Sequence, residues 1–274
     1  MQVSALHTYP VKGCRRVDHE RVMVEPWGLS GDRRWMVVGP DGAEIIQREV
    51  TRLAMLRAVP VAGGLELSFP GSAPLLVSEP TPDPVVHTTL WKRQYSATAA
   101  GPEADALLSK ELERDVRLVW MDDPATRRPV AAEYARPTDR LSYADDHPLL
   151  LTNQSSLAQL NDWIALSSGT AGSGEGSLPM ARFRPNVVFE GAAAFAEDAW
   201  IGRRLRMGSV EFRAVKACSR CVVTTIDQET GVRGKEPLRT LARYRRFDQQ
   251  LLFGTLLIPD SVGELAIGDS VEVI

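Results

Sequence analysis

The sequence predicts a mainly β fold with some α, and three observations point to it. About the first 95 residues are short runs of β-forming residues separated by Gly and Pro, which is typical of a barrel or sandwich. Within them, "LELSF" alternates apolar and polar residues, so Leu65, Leu67 and Phe69 should face a core. The second half of the chain mixes segments of helical and strand periodicity.

Several segments predict individual strands. "RWMVVGPDGAEII" is expected to form a hairpin that turns at Pro40-Asp41-Gly42, because these residues favour tight turns between runs of β-formers. "RLVWM", from Arg117 to Met121, should be a strand, and "RLRMGSVEF" should be a hairpin around Gly208-Ser209. The predicted core residues of this last hairpin are Leu205, Met207, Val210 and Phe212.

Three segments predict helices. "GPEADALLSKELERDV" places Pro102 in a first helical turn, "NQSSLAQLNDWIAL" has a polar start before apolar residues at helical spacing, and Pro237 begins a third helix. The expected buried faces are Ala106, Leu107 and Leu112 in the first helix and Leu157, Leu160 and Ile164 in the second. The Ser/Gly-rich segment from Ser167 to Ser177 is expected to be a flexible surface loop.

The composition excludes several classes of protein. The 274 residues are 44% hydrophobic and 24% charged with a net charge of -3, so they lack the basic excess of a nucleic-acid-binding domain. No apolar run approaches the roughly 20 residues that span a bilayer, and the first residues do not resemble a secretory signal. Three cysteines cannot form a disulfide framework, and an odd count fits a reducing compartment. We therefore expect a cytoplasmic protein without nucleic-acid or membrane partners.

Cys218 and Cys221 form a C-x-x-C pattern that allows four interpretations. A structural zinc site needs four ligands, and the sequence has no second paired motif. A redox pair usually precedes a helix, whereas the β-branched "VVTTI" follows here. Two buried cysteines acting as apolar side chains are the third interpretation. Because Arg220 and Lys216 should favour a thiolate, the fourth is a single cysteinate bound to a metal or cofactor, and the spacing alone does not choose among them.

Four segments together resemble a known family. "CSRCVVTTIDQETGVRGKEPLRTL" resembles the signature segment of MOSC-domain proteins, particularly the mitochondrial amidoxime-reducing component and its bacterial relatives. "YPVKGC", "GDRRWMVV" and "RFRPNVVFEGAAAFAEDAW" resemble further motifs of that family. The four segments lie in the family's order and span nearly the whole chain.

The resemblance implies an N-terminal β-barrel domain packed on a mixed α/β MOSC barrel domain. We expect the first to comprise residues 1–119 and the second residues 120–274. A molybdenum–molybdopterin cofactor, with a single pyranopterin, would lie in the cleft between them.

The resemblance also implies the site residues. Cys221 matches the family's molybdenum ligand and would be the catalytic residue, with Cys218 as its neighbour. The implied cofactor-binding residues are Lys12, Gly13, Arg33, His147, Arg184, Asn186, Ser219 and Arg220. Cations are expected around a ligand with a phosphate and anionic oxygens, since buried charge must be compensated.

The sequence departs from the family pattern at three positions. Gly13 replaces a serine that is common in close relatives, and Asp146 and His147 stand where relatives have small hydroxyl residues. An aspartate there would repel a phosphate unless it is turned away. His147 is expected either to donate a hydrogen bond to the cofactor or to be a solvated loop residue, and Asp227 is either an acceptor behind the site or a turn residue.

The implied activity is the reduction of N-hydroxylated compounds such as amidoximes, hydroxylamines and N-hydroxylated base analogues. Electrons would come from a separate donor protein of the flavin, ferredoxin or cytochrome type, because the chain has no cysteine cluster for an iron–sulfur centre of its own. The alternatives are a carrier of molybdenum cofactor and a sulfur carrier that holds a persulfide on Cys221 or Cys218.

Overall fold

Strands dominate the computed structural model, which describes residues 1–81, 85–91, 93–131, 133–168 and 176–274. The first strands of the chain are β1 (Gln2–Thr8), β2 (Val17–His19), β3 (Arg21–Glu25), β4 (Gly28–Leu29), β5 (Trp35–Val38), β6 (Arg57–Val61), β7 (Gly64–Ser68), β8 (Leu75–Ser78), β9 (Val85–Leu90), β10 (Arg93–Ala99) and β11 (Arg117–Trp120). The later strands are β12 (Leu149–Asn153), β13 (Val187–Glu190), β14 (Arg204–Met207), β15 (Val210–Ser219), β16 (Arg246–Phe247), β17 (Gln250–Pro259), β18 (Gly263–Ala266) and β19 (Val271–Val273). The α-helices are α1 (Pro102–Leu112), α2 (Pro124–Arg127), α3 (Gln154–Ser168) and α4 (Leu238–Tyr244). The 3₁₀ helices are Thr51–Met55, Met180–Phe183, Ala196–Trp200 and Val222–Thr225.

The largest sheet joins the two ends of the chain. Its order is β19-β14-β15-β17-β12-β13-β1-β2, with β16 added on β17. β12 and β13 are parallel, whereas β1 is antiparallel to β13, so the last residues of β1 and the first residues of β12 and β13 lie at the same end of the strands. The loops at this end of the strands carry most of the expected cofactor-binding residues.

The two ends of this sheet approach each other. The amide of Val3 donates to Asp269 O at 2.9 Å and the amide of Val271 donates to Met1 O at 2.9 Å, next to a single bridge between Gln2 and Ser270. In the residues that the structure describes, no continuous ladder joins β1 to β19, so the strand ladders alone do not form a closed barrel.

Three smaller sheets complete the fold, in the orders β5-β11-β10-β9, β18-β3-β4 and β6-β7-β8. The fold is therefore mainly β with some α, as predicted. The expected division between residues 119 and 120 falls within β11 and remains a prediction. No helix in the described ranges is both long and apolar enough to cross a membrane.

Most of the predicted core residues are confirmed. Leu65, Leu67 and Phe69 are at most 3% exposed on β7 and its end. The hairpin around Gly208-Ser209 forms from β14 and β15, and its four predicted core side chains are fully buried. Leu157, Leu160 and Ile164 are buried on α3, and α4 follows Pro237 as expected.

Three predictions need correction or lie outside the described residues. On α1 Leu112 is buried as predicted and Leu107 is partly buried, but Ala106 is exposed, and Ala104 and Leu108 complete the buried stripe. The turn after β5 forms, but its second arm is only a bridge between Val38 and Glu44, because the backbone there also pairs with β9. Most of the segment predicted as a loop from Ser167 to Ser177 lies outside the described residues.

Candidate functional site

All nine sequence-predicted site residues line one cavity of about 600 Å³. These residues are Lys12, Gly13, Arg33, His147, Arg184, Asn186, Ser219, Arg220 and Cys221. The volume lies within the ordinary range of roughly 300–1,000 Å³ for ligand sites. Five segments that are far apart in the sequence therefore meet at one place. The spacing of the motifs along the chain does not by itself predict this.

Two arginines of the cavity sit on the same aromatic ring. The guanidinium carbons of Arg33 and Arg184 lie 4.6 Å and 4.1 Å from the centre of the Tyr9 ring. Both arginines have left-handed backbones, with φ of 49° and 56°, which is costly for residues other than glycine and is often found at functional sites. Tyr9 belongs to the "YPVKGC" segment but was not among the predicted site residues. An aromatic residue in this motif was the feature of the sequence that could have indicated its stacking against the two arginines.

Arg33 is held by a buried polar network. Its guanidinium donates to Asp32 and, at 3.3 Å, to Asn186 Oδ1. Asn186 Nδ2 donates to Asp32 Oδ2 at 3.0 Å, and the amide of Tyr9 donates to Asp32 Oδ1 at 2.7 Å. Burial disfavours the charged guanidinium, but Asp32 outweighs this and raises the pKa of Arg33. Asp32 therefore fixes Arg33, and the sequence analysis did not identify it.

Arg184 uses only part of its guanidinium within the protein. Nη1 donates to Cys14 O at 2.6 Å and to Gln228 Oε1 at 3.1 Å, whereas Nη2 is buried and has no hydrogen-bond partner in the described residues. Burial lowers the pKa of Arg184. A buried guanidinium nitrogen without a partner is costly, so this one is well suited to an anionic ligand.

Lys12 differs from Arg184, because carboxylates of the protein already compensate its charge. Its ammonium donates to Tyr143 O at 3.1 Å and to the Asp145 carboxylate, and lies 3.6 Å from Glu44 Oε2. The surrounding protein disfavours the charged form of Asp145, but Lys12 outweighs this and holds the pKa of Asp145 well below its usual range. An anion that binds Lys12 must compete with Asp145.

The departures from the family pattern at 146 and 147 form a small charged group. Asp146 lies 3.5 Å from His147 Nδ1 and 3.2 Å from Lys216 Nζ. The adjacent His147 imidazole, assisted by Lys216, lowers the pKa of Asp146 to about 2. The His147 side chain is fully buried, which excludes the interpretation as a solvated loop residue, and its Nε2 has no hydrogen-bond partner in the described residues.

The two cysteines of the C-x-x-C segment have different surroundings. Arg220 Nη1 donates to the Cys218 sulfur at 2.8 Å and Nη2 donates to Phe183 O at 2.6 Å. Cys218 is half-buried and Cys221 is exposed, and no described residue makes a hydrogen bond to the Cys221 sulfur. Burial raises the pKa of Cys218, although Arg220 opposes this.

The expectation that Arg220 and Lys216 activate a cysteine therefore needs correction. The Arg220 guanidinium bonds to Cys218 and not to its sequence neighbour Cys221, and Lys216 pairs with Asp146. The β-branched run after Cys221, which argued against a helix at this position, forms the 3₁₀ helix Val222–Thr225.

Asp227 is a turn residue, which is one of the two roles considered for it. Its Oδ1 accepts from the amides of Glu229 and Thr230 at 3.0 Å and 2.9 Å, which closes a turn. Its Oδ2 accepts from Arg182 at 2.9 Å. It does not line the cavity.

The cavity has an excess of positive charge. Its lining includes seven Lys or Arg residues (Lys12, Arg33, Arg48, Arg93, Arg128, Arg184 and Arg220) and two carboxylates (Asp145 and Asp146). Within the part of the chain that the structure describes, buried nitrogens without hydrogen-bond partners are found on Arg184, Arg220 and His147. These donors, with an exposed thiol beside them, fit a large anionic cofactor that takes one thiolate ligand. A metal site made by the protein alone would need a cluster of three or more His, Cys, Asp or Glu side chains, and the described ranges contain no such cluster.

Comparisons with known proteins agree with the sequence resemblance. The MOSC N-terminal beta barrel domain family matches residues 1–115 and the MOSC domain family matches residues 138–272. The chain is 32% identical to mitochondrial amidoxime-reducing component 1 of Homo sapiens, over 99% of this chain and 82% of that protein. It is 31% identical to mitochondrial amidoxime reducing component 2 of Homo sapiens, over 98% of this chain and 82% of that protein.

The similarity to solved structures is weaker. The crystal structure of the YUAD protein from Bacillus subtilis aligns with 99% of this chain and 94% of its own, with a TM-score of 0.42 and 9% identity. The matches along the sequence are the stronger finding, since two family models and relatives above 30% identity cover nearly all of it. The chain belongs to the MOSC family, as a molybdenum-cofactor-associated protein that combines a MOSC N-terminal beta barrel domain with a MOSC domain.

Proposed function

We propose that this protein is a molybdenum-cofactor-dependent oxidoreductase that reduces N-hydroxylated compounds, including amidoximes, hydroxylamines and N-hydroxylated base analogues. The observation that carries the proposal is the exposed Cys221 thiol in a cation-rich cavity that contains unpartnered buried nitrogens of Arg184 and Arg220. The names of the similar human proteins support the amidoxime-reducing activity.

The residues of this chain would divide the work in a simple way. Cys221 would bind the metal, because its sulfur is exposed and has no hydrogen bond from described residues, whereas Cys218 already accepts one from Arg220. Arg184, Arg220 and His147 would donate to the anionic parts of the cofactor through nitrogens that lack partners. When bound, the cofactor supplies the two-electron chemistry, and the protein supplies position and electrostatics.

Other site residues would support binding less directly. Asn186 would hold Arg33 in place through the network around Asp32, and Lys12 would exchange its bond with Asp145 for one with the ligand. Gly13, with φ of 83°, would let the backbone approach the cofactor closely. Ser219 is exposed beside Cys221 and can offer its hydroxyl.

Electrons would come from a separate protein of the flavin, ferredoxin or cytochrome type. The chain holds three cysteines, fewer than the four of an ordinary iron–sulfur cluster. Helix α4 packs against the 3₁₀ helix that follows Cys221. Arg243 on this helix and Arg246 at the start of β16 are exposed and suit an acidic donor.

The test is molybdenum and pterin content per chain after expression in a host that makes the cofactor. We expect near-stoichiometric metal in the wild type and in Cys218→Ala, and loss of metal or of reduction in Cys221→Ala. Reduction of benzamidoxime with a reduced viologen dye then measures activity without the natural donor.

A second matched pair tests the cations. Arg184→Ala should lower the cofactor content, whereas Arg15→Ala should not, because Arg15 is a surface residue paired with Glu229. Cofactor without reduction of any N-hydroxylated compound would indicate a carrier. Absence of both metal and pterin, in a host that loads a known relative, would contradict the proposal. Cyanide-releasable sulfur on the same protein would then favour a persulfide carrier.

A further inference from the structure

A tryptophan on the rim of the cavity has no role in the site described so far. Trp91 lines the same cavity as Cys221 and is 52% exposed, although a large aromatic side chain gains most from burial. Scattered exposed apolar residues are normal on protein surfaces, but this one lines a cavity that can hold a ligand.

The backbone holds Trp91 in an unusual conformation. Its φ is 51°, in the left-handed region that bulky residues avoid. Its amide donates to Glu44 Oε1 at 3.4 Å, and Glu44 Oε2 lies 3.6 Å from Lys12 Nζ. One carboxylate therefore connects Trp91 to a lysine of the proposed cofactor site.

The turn that bears Trp91 is fixed to the neighbouring segment. Glu44 N donates to Thr89 O at 3.1 Å, Thr89 N donates to Gly42 O at 2.8 Å, and a bridge joins Ala43 to Thr89. These bonds attach the end of β9 to residues 42–44, so the position of the indole does not depend on the turn alone.

The groups around Trp91 suit a flat ligand. The Arg48 guanidinium carbon lies 5.5 Å from the centre of the indole, and Ile46 and Tyr95 line the same cavity. An indole and a planar guanidinium both stack on π systems, and such stacking accepts any flat ring. Hydroxylamine itself has no surface that can stack.

We propose that Trp91 and Arg48 form a stacking subsite for the planar, π-rich part of the substrate. Aryl amidoximes and N-hydroxylated bases would then be preferred over hydroxylamine. This inference rests on the proposed function and names the substrate class that the same cavity selects.

The experiment compares kcat/KM for benzamidoxime with kcat/KM for hydroxylamine, using cofactor-loaded protein and a reduced viologen dye. We expect Trp91→Ala to lower the ratio about tenfold, mainly through KM for benzamidoxime, because one stacking partner is lost. Trp91→Phe, which keeps an aromatic ring, should restore most of the ratio. The matched control is Phe247→Ala, because Phe247 is 49% exposed but does not line the cavity. Its ratio should equal that of the wild type.

A binding measurement separates the failure of the subsite from the failure of the proposed function. Calorimetric titration with benzamidoxime in the absence of reductant needs no turnover, and Trp91→Ala should bind about tenfold more weakly than wild type. An unchanged ratio in Trp91→Ala, or an equal loss for both substrates, would overturn the subsite while reduction stands. If the wild type reduces neither compound, the proposed function fails. Binding then decides the subsite by itself: dependence on Trp91 supports stacking, and independence overturns it.

Discussion

The residues of this cavity differ in which of their polar atoms lack a hydrogen-bond partner in the described structure. Cys218 accepts a hydrogen bond from Arg220, whereas Cys221, three residues later, lies exposed with its sulfur uncommitted in the described structure. Similarly, Nη1 of Arg184 is fully used by the protein and Nη2 is not. The chemistry available to a side chain thus depends on single atoms.

The three thiols should react in a definite order. Cys221 is exposed and should be alkylated first by iodoacetamide at about pH 8, and Cys218 should follow more slowly because burial raises its pKa. Cys14 is fully buried and its pKa is raised to about 11, so it should react only after unfolding. Peptide mass spectrometry of timed samples measures the order. Early labelling of Cys14 in folded protein would contradict the structure.

Asp146 should stabilise the fold only above acidic pH. Its pKa falls from 3.8 to about 2, so the stabilisation is complete above the unfolded value and is lost as the pH falls through the folded value. Because Asp146 is 45% exposed, screening limits the effect to roughly 1 kcal/mol or less.

Asp146→Asn should therefore reduce the free energy of unfolding at about pH 6, and the difference from wild type should shrink as the pH approaches about 3. Urea denaturation at several pH values measures it. Asp162→Asn, at an exposed position of α3, is the control and should show a smaller change. A difference that grows towards acidic pH would have the wrong sign.

At the scale of elements, short backbone contacts decide where the cavity walls lie. Gly42 has φ of 76°, and a Cβ built on it would lie 2.3 Å from His87 O on β9. Glycine is required here for two reasons, the left-handed backbone and the close approach of another strand. The hydrogen bond from Thr89 N to Gly42 O, at 2.8 Å, then ties this glycine to the end of β9 that leads to Trp91.

Gly42→Ala should be more destabilising than Gly63→Ala. Both glycines have positive φ, 76° and 72°, but nothing lies within 4 Å of a Cβ at Gly63. The left-handed backbone costs each alanine variant about 1 kcal/mol, and the clash should add a further ~1–3 kcal/mol only at Gly42. Thermal unfolding of the two variants measures the difference in stability. Equal losses of stability would show that β9 shifts to accommodate the added methyl group without a cost in free energy.

At the scale of the whole molecule, the first strands of the chain complete sheets built by the last ones. β1 pairs with β13 and β3 pairs with β18, so the proposed division into residues 1–119 and 120–274 does not coincide with separate sheets. The β1–β13 ladder also brings the loop with Lys12 to the end of the sheet at which β12 and β13 begin. The cavity thus needs both parts of the chain.

Residues 120–274 expressed alone should be poorly stable, because β13 would lose its pairing with β1, β18 would lose its pairing with β3, and both would expose strand edges. Coexpression with residues 1–119 should recover folded, soluble complex, as measured by gel filtration and circular dichroism. A well-folded isolated 120–274 fragment would show that this part forms its own core without β1 and β3.

Local patterns were sufficient for many elements and for the list of site residues. Strict alternation identified Leu65, Leu67 and Phe69, and helical spacing identified Leu157, Leu160 and Ile164, because these periods follow from backbone geometry alone. On α1 Leu112 was identified, but Ala106 was wrong and Ala104 and Leu108 were missed, because only the packing partner decides which apolar stripe is buried. The "VVTTI" segment was missed because β-branched residues favour strands only weakly and the tertiary context made a 3₁₀ helix.

The sequence by itself determined the family motifs, the mainly β character and the residue types around Cys221. Only the tertiary structure decided which atoms of those residues are engaged: that Arg220 bonds to Cys218, that Asp145 holds Lys12, and that Trp91 stands at the rim of the cavity. The physical reason is distance along the chain. Spacing and periodicity report on neighbours within a few residues, whereas Lys12 and Asp145 are separated by 133 positions. Their loops come together because β13 pairs with both β1, which precedes Lys12, and β12, which follows Asp145.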